Sequence, residues 1–517
     1  MNLKKLKKIR IFLSLQFFIS CSILFLDISH KLAPWFFETA LFLQFIPSFL
    51  KFSVLTDIAC TGFIIVFILT MLFGRVYCSS VCPLGAMQDI ISRVAGIFRK
   101  KKKRRYKFRK ENIYLRYSLL SITILAYIFG SILLINILDP YSNFGRIFTN
   151  LVRPLYITAN NLAAEISESM NIYFFYFVDI IETSWESLVL PIVALLTVVI
   201  MSAYRGRLFC NTLCPVGTFL GLLSKFSLFR IEFDHKACTS CGACERVCKS
   251  ECIESRSQTI DFSRCVACYN CFRVCTENGF NYKLSLNKKT TDYPRFTEVN
   301  TYRRRILANT AVFTLASLGL KGGGNAKVPV RRNNPVVPPG SGSIEHFTAN
   351  CTACHLCISA CPTFVLQPGF LDYGIEGFLQ PKMDYAASFC NYECTVCGEI
   401  CPSGAILPLK KKDKTLTQIG KVKFIKDNCI IFTDGTDCGA CAEHCPTKAV
   451  RMEPYGKIFQ PVTNEKTCVG CGACEHICPT KPNKAIYIEG NIVHIAAEEP
   501  KFEKLDYKVD YKEDFPF

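Results

Sequence analysis

Cysteine is the residue type in this chain that can do chemistry, and its spacing is regular. Of 31 cysteines in 517 residues, 24 fall into six runs of four. Cys238, Cys241, Cys244 and Cys248 are spaced C-x2-C-x2-C-x3-C, and Cys265, Cys268, Cys271 and Cys275 repeat the pattern. So do Cys351, Cys354, Cys357 and Cys361, and again Cys468, Cys471, Cys474 and Cys478. Cys390, Cys394, Cys397 and Cys401 open with a gap of three, and Cys429, Cys438, Cys441 and Cys445 with a gap of eight. In such runs three cysteines of one tight loop hold three irons of a cubane, and the fourth ligates the cluster of another run. The expected first sets are Cys238, Cys241, Cys244 with Cys275, and Cys265, Cys268, Cys271 with Cys248. The 24 cysteines imply six [4Fe-4S] clusters. Zinc also accepts thiolates, but complete runs of this order point to iron, and disulfide scaffolds belong to short secreted chains.

Two local details bear on these runs. Pro362, Pro402, Pro446 and Pro479 follow the fourth cysteine of the last four runs, where a helix start accepts proline. Lys249 and Thr276 stand there in the first two. Cys351 to His355 also reads C-x-x-C-H, a c-type haem attachment pattern, but Cys357, Cys361 and Pro362 complete a ferredoxin run through the same residues.

Four more thiols sit in a duplicated stretch, GRVYCSSVCPLGAMQD from Gly74 and GRLFCNTLCPVGTFLG from Gly206. A pseudo-twofold arrangement would bring Cys78, Cys82, Cys210 and Cys214 together. Three readings stay open: a seventh cluster, two redox-active dithiols, or structural free cysteines. Cys21, Cys60 and Cys252 remain unassigned.

The elements that must position these thiols are strongly apolar. Half the residues are hydrophobic and mean hydropathy is +0.23, so a membrane part is expected. Residues 1–225 read as a module of four transmembrane helices, over 11–28, 54–74, 113–138 and 188–204, each near the length that crosses about 30 Å of hydrocarbon. The formal charge of +19 has its densest source in residues 99–110, ten of twelve basic, between two of these spans. Positive charge there marks a cytoplasmic loop rather than a nucleic-acid site, so no nucleic-acid partner is expected. Residues 32–50 and 172–181 are apolar but interrupted or short, and are expected as interfacial helices on the outer face.

Residues 226–295 form a two-cluster ferredoxin-like domain. Arg303, Arg304 and Arg305, with an apolar stretch after them, make residues 301–321 a twin-arginine-like signal or fifth, anchoring helix, which implies the twin-arginine translocase as a partner during biogenesis. Residues 322–343 read as a Gly/Pro-rich linker, 344–495 as a four-cluster ferredoxin-like domain, and 496–517 as a charged tail. The expected fold class is an α-helical membrane protein with two α+β ferredoxin-like [4Fe-4S] domains.

The spans, the two C-x3-C-P motifs and the two-cluster segment, residues 1 to about 285, resemble NapH, the membrane ferredoxin-type subunit of periplasmic nitrate reductase systems. The order of the later runs, the widened third run and the twin-arginine entry resemble NapG, its exported four-cluster partner. The resemblance implies a head-to-tail fusion in a bacterial inner membrane, with 226–295 cytoplasmic and 344–517 periplasmic. It implies a quinol dehydrogenase that passes electrons from membrane quinol to a periplasmic reductase or cytochrome. By analogy the four later runs are expected to pair in nested order, first with fourth and second with third. Asp57, Asp139 and Glu182 are candidate proton acceptors. The alternative function is a redox maturation or regulatory factor for a metalloenzyme, related to nitrous oxide reductase accessory membrane proteins.

Overall fold

The computed structural model describes residues 3–27, 32–55, 61–98, 106–171, 173–179, 185–277, 279–284, 332–456 and 458–499. The internal signal over 301–321, the first half of the linker, most of the basic loop, the tail from 500, and Asp57, Cys60 and Glu182 lie outside the described residues.

The module expected in the membrane is helical. Its helices are α1 (Leu3–Leu26), α2 (Pro34–Phe42), α3 (Phe45–Leu55), α4 (Gly62–Phe73), α5 (Val76–Ser80), α6 (Pro83–Phe98), α7 (Ile113–Ile128), α8 (Leu133–Leu138), α9 (Pro140–Ile147), α10 (Arg153–Ser169), α11 (Trp185–Arg205), α12 (Leu208–Thr212) and α13 (Pro215–Ser224), with a π-helical turn over Phe148–Val152. Two of them, α1 and α11, are long and apolar enough to cross a membrane. The other two expected spans are shorter among the described residues. The expected 113–138 span stops early because Gly130 takes φ +86° and the Ser131 N–H returns to the Ala126 carbonyl at 2.9 Å, a Schellman-type ending. That leaves α7 with 16 residues, or about 24 Å of rise. The α4 helix has 12 residues.

The interrupted stretch 32–50 folds as α2 and α3, bent by 110° into a pair that together would be long enough for one span. Residues 173–179, expected within an interfacial helix, are not helical. The side chains of Asn160 and Asn161 take up the Tyr176 and Val178 carbonyls at 2.9 and 2.8 Å and hold this segment extended. Large apolar side chains face outward on several helices, among them Phe12, Ile68, Ile122, Leu155 and Ile200. An outward apolar surface of this extent fits a lipid environment.

The first cluster segment is closed by an antiparallel pair, Phe229–Phe233 with Phe280–Leu284, and a short hairpin, Ile253–Glu254 with Thr259–Ile260. In the second segment, Thr417–Phe424 pairs with Ile486–Ala496 and Val450–Tyr455 with Ile458–Thr463. Residues 332–343, expected as linker, belong to this segment. Val336 and Val337 are buried, the Met383 N–H donates to the Val336 carbonyl, and Ser343 bridges to Val493. Pro-rich extended chain lacks periodicity, so its burial left no pattern to read.

The two cluster segments contact opposite ends of α1. Leu6 packs on the core of the first. At the other end, Leu24 lines a small cavity with Ala360 and Ile400 of the second, while Phe25 and the Cys354 carbonyl both crowd Gly145. Along α1 the stretch from Leu6 to Leu24 rises about 27 Å between these contacts.

Candidate iron–sulfur and thiol centres

In the first segment Cys238 and Cys241 both act electrostatically on Cys244, and a Cβ placed on Gly279 would lie 3.5 Å from Cys238 Cβ and from Cys275 Sγ. Cys248 and Cys265 act together on Cys268 and Cys271. Each fourth cysteine thus lies beside the other run. A further thiol joins the second set. Cys252 is 1 % exposed, its Sγ stands 3.5 Å from Cys248 Sγ, and it hydrogen-bonds Cys265 as well. That contact draws Cys248 down to about 7 and lowers Cys265 too. Cys252 belongs to no run; its one sequence signal is its position four residues after Cys248, at the foot of the hairpin.

The second segment forms four sets. Cys401 acts on Cys351, Cys354 and Cys357, and Cys361 acts on Cys390, Cys394 and Cys397. Cys478 joins Cys429, Cys438 and Cys441, and Cys445 joins Cys468, Cys471 and Cys474. The runs therefore pair as neighbours, first with second and third with fourth, and the nested expectation is corrected. Only 28 residues separate Cys361 from Cys390 and 22 separate Cys445 from Cys468, and short loops close at lower entropic cost than the long ones nesting requires. The two pairs meet where the Cys390 N–H donates to the Cys471 carbonyl at 2.9 Å. The sets follow one another from the Cys351 set, against the membrane module, to the Cys429 set at the far end.

Among the described residues no three His, Cys, Asp or Glu side chains converge closely enough to hold a single metal ion. The donor chemistry of each set, four thiols from two loops, fits a [4Fe-4S] cubane that takes one thiolate per iron. Burial pushes the Cys354, Cys390 and Cys471 thiols up to about 12 without a metal; cluster binding would deprotonate them outright.

The duplicated motifs meet about a local twofold. Gly74 and Gly206, at φ +80° and +65°, each end a helix and turn the chain toward the motif. Cys82 and Cys214 open α6 and α13, where the Gly85 and Gly217 amides approach their sulfurs at 3.4 and 3.2 Å. All four thiols are at most 4 % exposed, and Cys214 lies within electrostatic reach of Cys78, Cys82 and Cys210. Arg75 donates to the Cys210 carbonyl at 3.1 Å and Arg207 to the Cys78 carbonyl at 2.7 Å. A Cβ at Gly85 or Gly217 would collide with these same carbonyls at 2.3 and 2.2 Å, so glycine is required. Asp89 neutralises Arg207, at 2.9 Å. Arg75, fully buried, has no carboxylate partner among the described residues; its neighbours are Asn211, the Ser263 carbonyl and Cys78 Sγ at 3.8 Å. A buried cation of this kind is costly without an anion.

Lys249, which replaces the expected proline, docks the first cluster segment here: its ammonium meets Asp89 at 3.2 Å and its carbonyl accepts from the Arg207 N–H. At the other seam, Asn150 and His355 Nδ1 are 2.9 Å apart and Arg146 reaches the Ala353 carbonyl. His355 is fully buried, and its Nε2 bonds the Leu379 carbonyl at 2.9 Å. Both ring nitrogens are engaged, which leaves none for a haem iron. Between the two ends, Tyr77, Gln44 and Cys21 form a buried polar chain, and Tyr141 lies within electrostatic reach of Cys21 and Cys354. Asp139 is buried and caps α9 through Ser142 at 2.7 Å, a structural task.

Comparison with known proteins agrees with this chemistry. The family described as a 4Fe-4S binding domain matches residues 58–105 and again 188–233, one match over each C-x3-C-P motif. A 4Fe-4S dicluster domain matches residues 436–481. The ferredoxin-type protein NapF of Escherichia coli K12 is 30 % identical over 142 residues, 27 % of this chain and 77 % of NapF. The chain belongs to the Nap-type ferredoxin proteins. Within this Nap-type ferredoxin, a stretch of 150 residues is also 27 % identical to NapG of E. coli K12, covering 26 % of the chain and 61 % of NapG. A stretch of 43 residues is 49 % identical to the methylamine utilization ferredoxin-type protein MauN of Paracoccus denitrificans, 8 % of this chain and 15 % of MauN. No solved structure matches the chain. It is an iron–sulfur electron-transfer protein.

Proposed function

We propose that this Nap-type ferredoxin takes electrons from membrane quinol and delivers them to a reductase or cytochrome on the outer face of the bacterial inner membrane, as a NapH-like module joined head to tail to a NapG-like one. The observation that carries this reading is the attachment of the two cluster segments to opposite ends of α1. Their points of contact, Leu6 and Leu24, lie about 27 Å apart along the helix, close to the roughly 30 Å of a bilayer's hydrocarbon. In this reading residues 226–295 face the cytoplasm, residues 344–517 the periplasm, and the twin-arginine-like stretch from Arg303 delivers the second segment already folded.

The 24 run cysteines act as ligands of six clusters in the crossed sets given above. Cys78, Cys82, Cys210 and Cys214 hold a seventh, a role supported by the convergence of the two repeats and by the unpaired charge of Arg75. When bound, the clusters supply one-electron carriage. The chain's own part is to fix their order, exclude water, and bridge the two ends through Tyr77, Gln44, Cys21 and Tyr141. A second reading, a redox maturation factor for another metalloenzyme, draws on the likeness to methylamine-system proteins.

Protease added to intact spheroplasts tests the arrangement. Cleavage beyond residue 340 with residues 238–275 spared is expected, and Arg303→Lys with Arg304→Lys should abolish that cleavage. Protection of both segments in the unsubstituted protein contradicts the reading.

A further inference from the structure

A cavity of about 450 Å³ opens where α1, the bent pair α2–α3 and the second cluster segment meet. Its size lies within the range of small-molecule sites, which are mostly apolar with a few placed polar groups. Phe17 of α1 and Phe37 and Phe42 of α2 form aromatic walls, and Glu38 and Lys51 supply charge. The opposite wall is Glu399, Ile400, Cys401 and Pro402, so Cys401 of the Cys351 set itself lines the cavity. The α1 helix is one of the two of spanning length, and Trp35, beside the walls on α2, is 66 % exposed, as suits an aromatic at a membrane interface.

An occupant must be apolar enough to enter between membrane helices, flat enough for aromatic walls, and able to give up both electrons and protons beside a cluster ligand. We propose that this cavity is the quinol site, with the headgroup between Phe37 and Cys401, Glu38 as proton acceptor and Lys51 as hydrogen-bond donor to the ring oxygen. This rests on the quinol-oxidising function proposed above and gives it a place. Quinol loses two electrons and two protons to become quinone. Its two O–H bonds break, and the clusters that the Cys351 and Cys390 sets would hold would take the two electrons, one each. The protons leave through Glu38, which is exposed, to the aqueous face. Cys361, between the first run and the Cys390 set, links the two acceptors in one short loop.

Binding and reduction are measured separately on the full chain in membranes. A fluorescent hydroxyquinoline N-oxide analogue of quinol should bind the unsubstituted protein, and Phe37→Trp should weaken that binding about tenfold by filling the cavity. Glu38→Gln, at an exposed position that cannot disturb the core, should bind the analogue as before but slow quinol-driven cluster reduction about a hundredfold. Dithionite should still reduce the clusters fully in both variants. If quinol reduces the unsubstituted protein and both variants equally, the cavity is not the site and the function stands. If quinol reduces no cluster in the unsubstituted protein, the site and the function both fall.

Discussion

The Arg207 guanidinium reaches from the second C-x3-C-P repeat into the first and donates to the Cys78 carbonyl at 2.7 Å. Arg75 returns the contact to Cys210. Each repeat thereby fixes the backbone at the other's leading thiol, and neither motif is complete alone. Arg207→Leu would leave Asp89 with only Arg10 and Lys249. It would also free the Cys78 carbonyl in a buried site. A loss of about 1–3 kcal/mol, read as a lowered thermal midpoint in detergent, is expected for leaving that carbonyl buried without its donor. Arg75→Leu should in addition reduce the iron bound per chain, since it removes a buried cation beside the thiols that has no carboxylate partner among the described residues. Unchanged iron content would place the cluster elsewhere.

Cys252 touches two thiols of the second set without belonging to a run. Cys252→Ala should keep full iron content and lower the midpoint potential of one cluster by roughly 40 mV, about 1 kcal/mol of hydrogen bonding to sulfur for a one-electron couple. Redox titration followed by electron paramagnetic resonance reads this. Loss of a cluster would instead make Cys252 a ligand.

These two sites show what was legible in the chain and what was not. Spacing alone picks out the six four-cysteine runs and the duplicated motifs, because a tight loop carries its pattern locally. Cys252, the neighbour pairing of the later runs and the packing of residues 332–343 depend on contacts distant in sequence, which leave no local period. Apolar content continues past Gly130, so nothing in the residue pattern marks the end of α7, which backbone geometry sets there.

Asn150 and His355 join the membrane module to the second cluster segment. His355 is held neutral, pushed down to about 3 mainly by burial, so its Nδ1 accepts from the Asn150 amide. Asn150→Ala leaves that nitrogen buried without a donor and should cost about 1–3 kcal/mol, seen as faster release of the second segment by protease. A haem stain of the purified protein should be negative; a positive stain would overturn the assignment of Cys351 and Cys354 to a cluster.

His494 titrates lower in the folded chain than its ordinary 6.5, at about 4, because burial disfavours its charged form. The unfolded chain therefore takes up the proton first. Stability is unaffected above about pH 6.5 and falls as pH drops from there to about 4, by at most about 3 kcal/mol. His494→Gln should flatten that part of the pH–stability profile relative to the unsubstituted protein. An identical acid slope in both would show that other groups govern it.

Electron entry from quinol into the clusters of this chain is the step on which the proposed function turns. Membranes containing the full protein, oxidised and then given a reduced quinol analogue under anaerobic conditions, should lose absorbance in the visible iron–sulfur band and gain the resonance signals of reduced [4Fe-4S] clusters. Clusters that dithionite reduces but quinol leaves fully oxidised would contradict the account.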